Sequence, residues 1–210
     1  MAEKLFDDAK YHKLGILGGT FNPIHVGHLL LAEAAFDEVG LDGIMFLPSG
    51  QSYMKDSDEV LHAEERLKMT ELAVKDNPFF FVSDMEIKRE GNTYTYETLA
   101  AIKEVHPDTE LYFIMGADCL FSIENWRCPD KIFAYSTIIA AVRDDVDNDE
   151  LQAQAIHLSE KFGAEIILLP FLKTEISSTA IRERIRNGKS IRYMVSDAVR
   201  NYLTDKKFYM

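Results

Sequence analysis

The 210 residues, 47% hydrophobic and 28% charged, are enough for a substantial core and suit one globular domain spanning 1–210. Lys and Arg number 23 against 35 Asp and Glu, a formal net charge of −12 that repels a nucleic-acid backbone and argues against nucleic acid as a partner. Cys119 and Cys128 match neither a C-x-x-C redox pair nor a zinc pattern, Met1 to His12 lacks the apolar run of a secretory signal, and no stretch approaches the roughly 20 apolar residues of a membrane helix. A reducing cytoplasm, with no membrane contact, is the expected home, and homo-oligomer formation is left open.

Strand-like runs then alternate with helix-period segments. Leu14 to Leu17 is the first strand, and Leu29, Ala32, Phe36 and Val39 recur at helical spacing until Gly40 stops the helix. Ile44 to Leu47, Phe79 to Val82, Leu111 to Met115, Thr137 to Val142 and Ile166 to Leu169 are further short apolar runs, mostly separated by helical segments. This order predicts an α/β, Rossmann-like, doubly wound parallel sheet with helices on both faces. The polar connections Ser49 to Val60 and Asp84 to Thr93 follow predicted strands, where such sheets bind ligands. Asp144 to Glu150 reads as a solvated turn and helix start, and Ser196 to Leu203 as a closing helix.

The strongest chemical signal follows the first strand directly: Gly18-Gly19-Thr20-Phe21-Asn22-Pro23-Ile24-His25-Val26-Gly27-His28. Paired glycines admit close approach of a ligand, and the N-terminus of the next helix offers free N–H groups and partial positive charge to phosphate. His25 and His28, three apart, project to one side of a helical turn, with Gly27 leaving room between them. Imidazole can then donate hydrogen bonds to a phosphoryl oxygen. The segment is neither a P-loop, lacking the Lys, nor G-x-G-x-x-G, nor H-E-x-x-H. A metal would need a third ligand that no nearby carboxylate or Cys supplies, so no protein metal site is expected.

The H-x-G-H segment, within Gly18 to His28, resembles the nicotinate-mononucleotide adenylyltransferase branch of a nucleotidyltransferase superfamily. Ile176-Ser177-Ser178-Thr179-Ala180-Ile181-Arg182 is similar to the I-S-S-T-x-I-R signature that those proteins use on the triphosphate. By itself a Ser-Ser-Thr before a helix is more often a plain cap. Here Ser177 or Ser178 can cap the helix while exposed N–H groups, hydroxyls and Arg182 form an anion cradle. Gly91 to Leu99 looks like the family's S-Y-T stretch before a helix, Gly116-Ala117-Asp118 like its G-A-D turn, Trp126 like its tryptophan, and Val142-Arg143 like its Arg after a strand. The resemblance runs from Leu14 to Leu203. Asn22 replaces the family's usual Asp, and Ser52-Tyr53-Met54-Lys55 replaces P-P-H-K, keeping the Lys but not the His.

The resemblance implies adenylyl transfer from ATP to nicotinate mononucleotide, with Mg²⁺ accompanying ATP. It assigns catalysis to His25, His28, Lys55 and Arg182. ATP would lie against Gly18, Gly19, Thr20, Phe21, Gly116, Asp118, Arg143, Ser177, Ser178 and Thr179 as well as the two histidines and Arg182. Lys55, Thr95 and Trp126 would take the pyridine mononucleotide. Thr95 is well placed to cap the helix through Leu99 to Val105, so nearby N–H groups could face a bound carboxylate, and no acidic group is evident to accept from an amide. Rival readings are a relative using nicotinamide mononucleotide or pantetheine phosphate, a cytidylyltransferase, and a nucleotide-sensing module without turnover.

Overall fold

The computed structural model describes Phe6 and residues 10–50, 60–142, 148–171 and 175–210. Its strands are β1 (Lys13–Gly19), β2 (Gly43–Pro48), β3 (Phe80–Val82), β4 (Glu110–Gly116), β5 (Thr137–Val142) and β6 (Ile166–Pro170). They form one six-stranded sheet in the order β3-β2-β1-β4-β5-β6, every pairing parallel. The helices are α1 (Val26–Val39), α2 (Ala63–Val74), α3 (Thr95–Val105), α4 (Pro129–Tyr135), α5 (Asn148–Phe162), α6 (Ser178–Arg186) and α7 (Asp197–Asp205). Each run predicted as a strand is one, with ends shifted by at most two residues.

Strand side chains alternate between two faces, so one sheet organises two cores. Leu14 and Ile16 of β1, Met45 and Leu47 of β2 and Leu111 and Phe113 of β4 face one way, under α3, α4 and α5. Leu17, Ile44, Phe46, Tyr112 and Ile114 face the other, under α1, α2, α6 and α7. All six residues of β2 are buried, which explains why Ile-Met-Phe-Leu reads as a continuous apolar run. A fully buried Phe46 or Leu14 contributes roughly 2 kcal/mol through its removal from water.

Helix α1 ends where the sequence places its stop. Gly40 takes a left-handed conformation (φ 66°, ψ 49°) and its N–H donates to the Phe36 carbonyl, closing the last turn without a Cβ penalty. The buried face of α1 is lined by Gly27, Ala32 and Ala35, while Leu29, Phe36 and Val39 pack at its margin. At the other end of the chain, Ser196 caps α7 by accepting from the Val199 N–H at 3.3 Å.

Strand order reverses between β1 and β4, whose carboxyl ends open side by side. The loops there diverge to opposite faces and leave a crevice, the site that such sheets offer to ligands. Gly18 and Gly19 end β1, and Met115 and Gly116 end β4, so the strongest sequence motif stands at this crevice.

Candidate active site

Two cavities meet at the crevice and share Gly18, Phe113 and Trp126 as walls. One is lined by His25, Gly27, His28, Gly116 and Ser177, the other by Gly19, Thr20, Ser49, Glu86, Thr95, Thr98 and Arg127.

The first is built from two helix N-termini. His25 is the N-cap of α1 and His28 lies one turn on, so their rings stack with centroids 3.7 Å apart and planes 25° apart. The His25 N–H donates to His28 Nδ1 at 3.2 Å. That bond assigns the proton of a neutral His28 ring to Nε2, leaving a donor on the outer nitrogen. The edge of Phe21 supports the His28 ring at 5.0 Å. His25 is buried, and desolvation pushes its pKa down to about 4, so its ring is neutral near pH 7. Its Nδ1 is buried and makes no hydrogen bond with the described residues, which adds to the desolvation of the ring.

The second N-terminus is that of α6. Ser177 caps it, accepting from the Ala180 N–H at 3.1 Å. The neighbouring side chains tie this helix to the turn after β1. Ser178 Oγ donates to the Pro23 carbonyl at 2.9 Å, and Arg182 donates from Nη1 to the Asn22 carbonyl at 3.0 Å and from Nη2 to Thr179 Oγ1 at 3.4 Å. Asn22 Oδ1 in turn accepts from the Leu61 N–H and the Tyr209 hydroxyl, at 3.1 and 2.6 Å. Motifs about 150 residues apart thereby become one rigid anion-facing unit.

The second cavity begins at α3. The expected cap is off by one position: Tyr94 is the N-cap, Thr95 is the first helical residue, and no side chain caps the turn. The aromatic side chain at Tyr94 leaves the first-turn N–H groups uncapped, so the donor character expected around Thr95 survives the correction. Trp126, half-buried, packs edge-on against Phe113 at 6.3 Å. Arg127 lies 4.7 Å over the Tyr94 ring at the rim.

Contrary to the sequence expectation, an acidic group does stand here. Glu86 lines the cavity and accepts from Thr98 Oγ1 at 2.8 Å, while Arg89 donates to that same hydroxyl at 3.1 Å. Burial raises the Glu86 pKa against the opposing pull of Thr98, Arg89 and Thr93. Gly50 packs so tightly on this segment that a Cβ would lie 2.3 Å from the Glu86 carbonyl oxygen. In sequence, Glu86 is one of several charged residues in Asp84 to Thr93, and only the fold singles it out.

The structure brings Gly18, Gly19, Thr20, Thr95, Trp126, Gly116, Ser177 and both histidines to the cavity walls. Phe21 is 2% exposed, with φ 48°, so it shapes the turn and supports His28 from inside. Asp118 is exposed, in the first turn of a 3-10 helix (Ala117–Phe121), and belongs to neither wall. Lys55 and Arg143 lie outside the described residues.

A Rossmann-like switch-point crevice with an anion-facing histidine pair defines a protein of the nucleotidyltransferase class. A family model described as cytidylyltransferase-like matches residues 16–184. A protein of Lachnoclostridium phytofermentans named "Probable nicotinate-nucleotide adenylyltransferase" is 49% identical over 94% of this chain and 99% of its own length. One of the same name from Clostridium botulinum is 40% identical over 94% and 98%. Nicotinic acid mononucleotide adenylyltransferase of Plasmodium falciparum, solved in complex with NaAD, superposes with a TM-score of 0.77 at 20% identity, covering 94% of this chain and 97% of that one. The chain belongs to the nicotinate-nucleotide adenylyltransferase family. No helix among the described residues is long and apolar enough to cross a membrane.

Proposed function

We propose that the chain works as one cytoplasmic nucleotidyltransferase domain that joins ATP and nicotinate mononucleotide into nicotinate adenine dinucleotide, a step of NAD biosynthesis. The observation that carries this reading is the convergence of two helix N-termini, one bearing stacked imidazoles and the other the Ser177 cap, on a single cleft. Such an arrangement receives a polyphosphate, and a direct in-line displacement asks no covalent nucleophile of the protein. A 5′-phosphate oxygen of the mononucleotide attacks the α-phosphorus in line. One P–O bond forms, the bond to the β-phosphate bridging oxygen breaks, and pyrophosphate leaves.

His28 donates from Nε2 to the transferred phosphoryl group, His25 to a neighbouring phosphate, and neither imidazole needs to exchange a proton. The amides at the start of α6, with Thr179 and Arg182, take the leaving pyrophosphate, and Lys55 is assigned a further positive charge on the phosphates. Asp118 and Arg143 are assigned to the ribose and the adenine. Mg²⁺ would reach the site on phosphate oxygens. Among the described residues no group of three His, Cys, Asp or Glu could hold a metal, and the donors facing the cleft suit anions. When bound, the ion supplies charge neutralisation on the phosphates.

The pyridine ring is assigned to the second cavity, stacked on Trp126, with its carboxylate toward the uncapped amides of α3. The oxygens of Glu86 accept from protein hydroxyls, while the helix N-terminus and Arg127 favour an anion at the mouth. The test is kcat/KM for each pyridine mononucleotide at saturating ATP and Mg²⁺, with products identified. The expected outcome is dinucleotide plus pyrophosphate, with the acid preferred over the amide by more than about a hundredfold and up to ~10⁴. Equal rates would overturn the specificity, and nucleotide binding without pyrophosphate release would favour a sensing module.

A further inference from the structure

Arg66 lies on α2, outside the motifs named above, and is 2% exposed. Along α2 it shares the buried face with Met69, Thr70 and Val74, at spacings of three, four and eight, where an apolar residue would be ordinary. Among the described residues, its guanidinium hydrogen-bonds main-chain carbonyls alone. Nε donates to Leu61 at 3.0 Å, Nη1 to Thr20 at 2.8 Å, and Nη2 to both Ser49 and Gly50, at 2.7 and 3.1 Å. No carboxylate among the described residues pairs with it, although buried cations are usually paired.

The four carbonyls belong to the exits of two neighbouring strands and to the approach to α2. Thr20 follows β1, and Ser49 and Gly50 follow β2, where Ser49 N–H also donates to the Gly19 carbonyl at 2.9 Å. A planar fork bonded to both exits fixes their relative position in a way a flexible ammonium cannot. Each bonded carbonyl also orients its peptide plane. Because the trans peptide sets N–H opposite C=O, the amides of Phe21 and Gly50 point away from Arg66. Thr20 and Ser49 line the cavity between these exits, and the buried charge beneath them stays in low dielectric, where its field is weakly screened.

We propose that Arg66 is a positioning residue that locks the exits of β1 and β2 into one geometry and makes the cavity between them, the one assigned to the pyridine mononucleotide, electropositive for that anion. This rests on the adenylyltransferase reading for the chemistry, but its anion-binding half can be measured without turnover. The full chain and the variants Arg66→Lys and Arg66→Met are compared by melting transition, kcat, KM for each substrate, and calorimetric affinity for nicotinate mononucleotide. Arg66→Lys keeps the charge and loses the fork. It is expected to hold nicotinate mononucleotide within about threefold of the parent while kcat falls by about tenfold or more, since small misplacements of reacting groups are costly. Arg66→Met, losing both, is expected to bind nicotinate mononucleotide at least about tenfold more weakly.

A folded Arg66→Lys with the parent's kcat, or a folded Arg66→Met with the parent's nicotinate mononucleotide affinity, overturns the proposal. Lowered melting temperature with unchanged kinetics would make Arg66 merely structural, and overturns it equally. A measurement on the unmutated protein covers the case in which the variants fail to fold. Nicotinate mononucleotide added to nitrogen-labelled protein must shift the amide resonances of Phe21 and Gly50, and unmoved amides reject the geometry. If the parent makes no dinucleotide, the adenylyltransferase reading fails while the mononucleotide affinities still decide the role of Arg66.

Discussion

The two cavities that meet at Gly18 and Trp126 are assembled differently. The cavity proposed for phosphate takes its polar groups from two short runs, His25 to His28 and Ser177 to Arg182, and fixes them through main-chain geometry and bonds such as Ser178 to Pro23 and Arg182 to Asn22. The pyridine cavity draws on Thr20, Ser49, Glu86, Thr98, Trp126 and Arg127, spread over several loops and helices, with a side-chain chain from Arg89 through Thr98 to Glu86. The difference separates chemistry from choice. In the proposed function, phosphate is met by helix ends and imidazoles in a fixed frame, whereas the ring is met by side chains that a few substitutions could rearrange.

A first way to probe the contrast is through His25, whose ring the phosphate cavity keeps neutral. Burial lowers its pKa from the ordinary 6.5 to about 4, so between those values the unfolded chain holds more protons than the folded one. The stability associated with the neutral ring is complete above about pH 6.5, declines as pH falls toward 4, and is level below, a loss on the order of 3 kcal/mol. Denaturant unfolding of the ligand-free protein at pH 7.5 and 4.5 measures it, with His25→Gln expected to lack this share of the acid dependence. Identical pH profiles for the parent and the variant would remove the argument for a desolvated neutral imidazole.

A smaller effect is expected from Arg182→Ala. It removes the hydrogen bonds to Asn22 and Thr179 and one cation from the α6 side and should raise the KM for ATP and weaken pyrophosphate by about tenfold, leaving mononucleotide affinity nearly unchanged. Equal weakening of both substrates would mean that the cavities do not act separately.

The same contrast explains what could be read without coordinates. Strands of a doubly wound parallel sheet are buried on both faces, so β2 and β5 stand out as apolar runs, and the β1 turn with its His25–His28 pair is contiguous. Glu86 and Arg66 were not legible. Their roles depend on which loop lies across from them, and a buried Arg on an amphipathic helix looks like a surface charge until its carbonyl partners are seen. The cap of α3 was misplaced by one residue because Thr is a stronger capping type than Tyr, and tertiary packing overrode that preference.

The most direct test of the division between chemistry and choice is His28→Ala, followed by turnover and by the calorimetric affinity for nicotinate mononucleotide. His28 Nε2 is the donor assigned to the transition state, and the pyridine cavity does not include it. With the fold intact, kcat should fall by on the order of a hundredfold or more while mononucleotide affinity stays within about threefold. Near-normal kcat in the folded variant, or loss of mononucleotide affinity as large as the loss of turnover, would contradict the account.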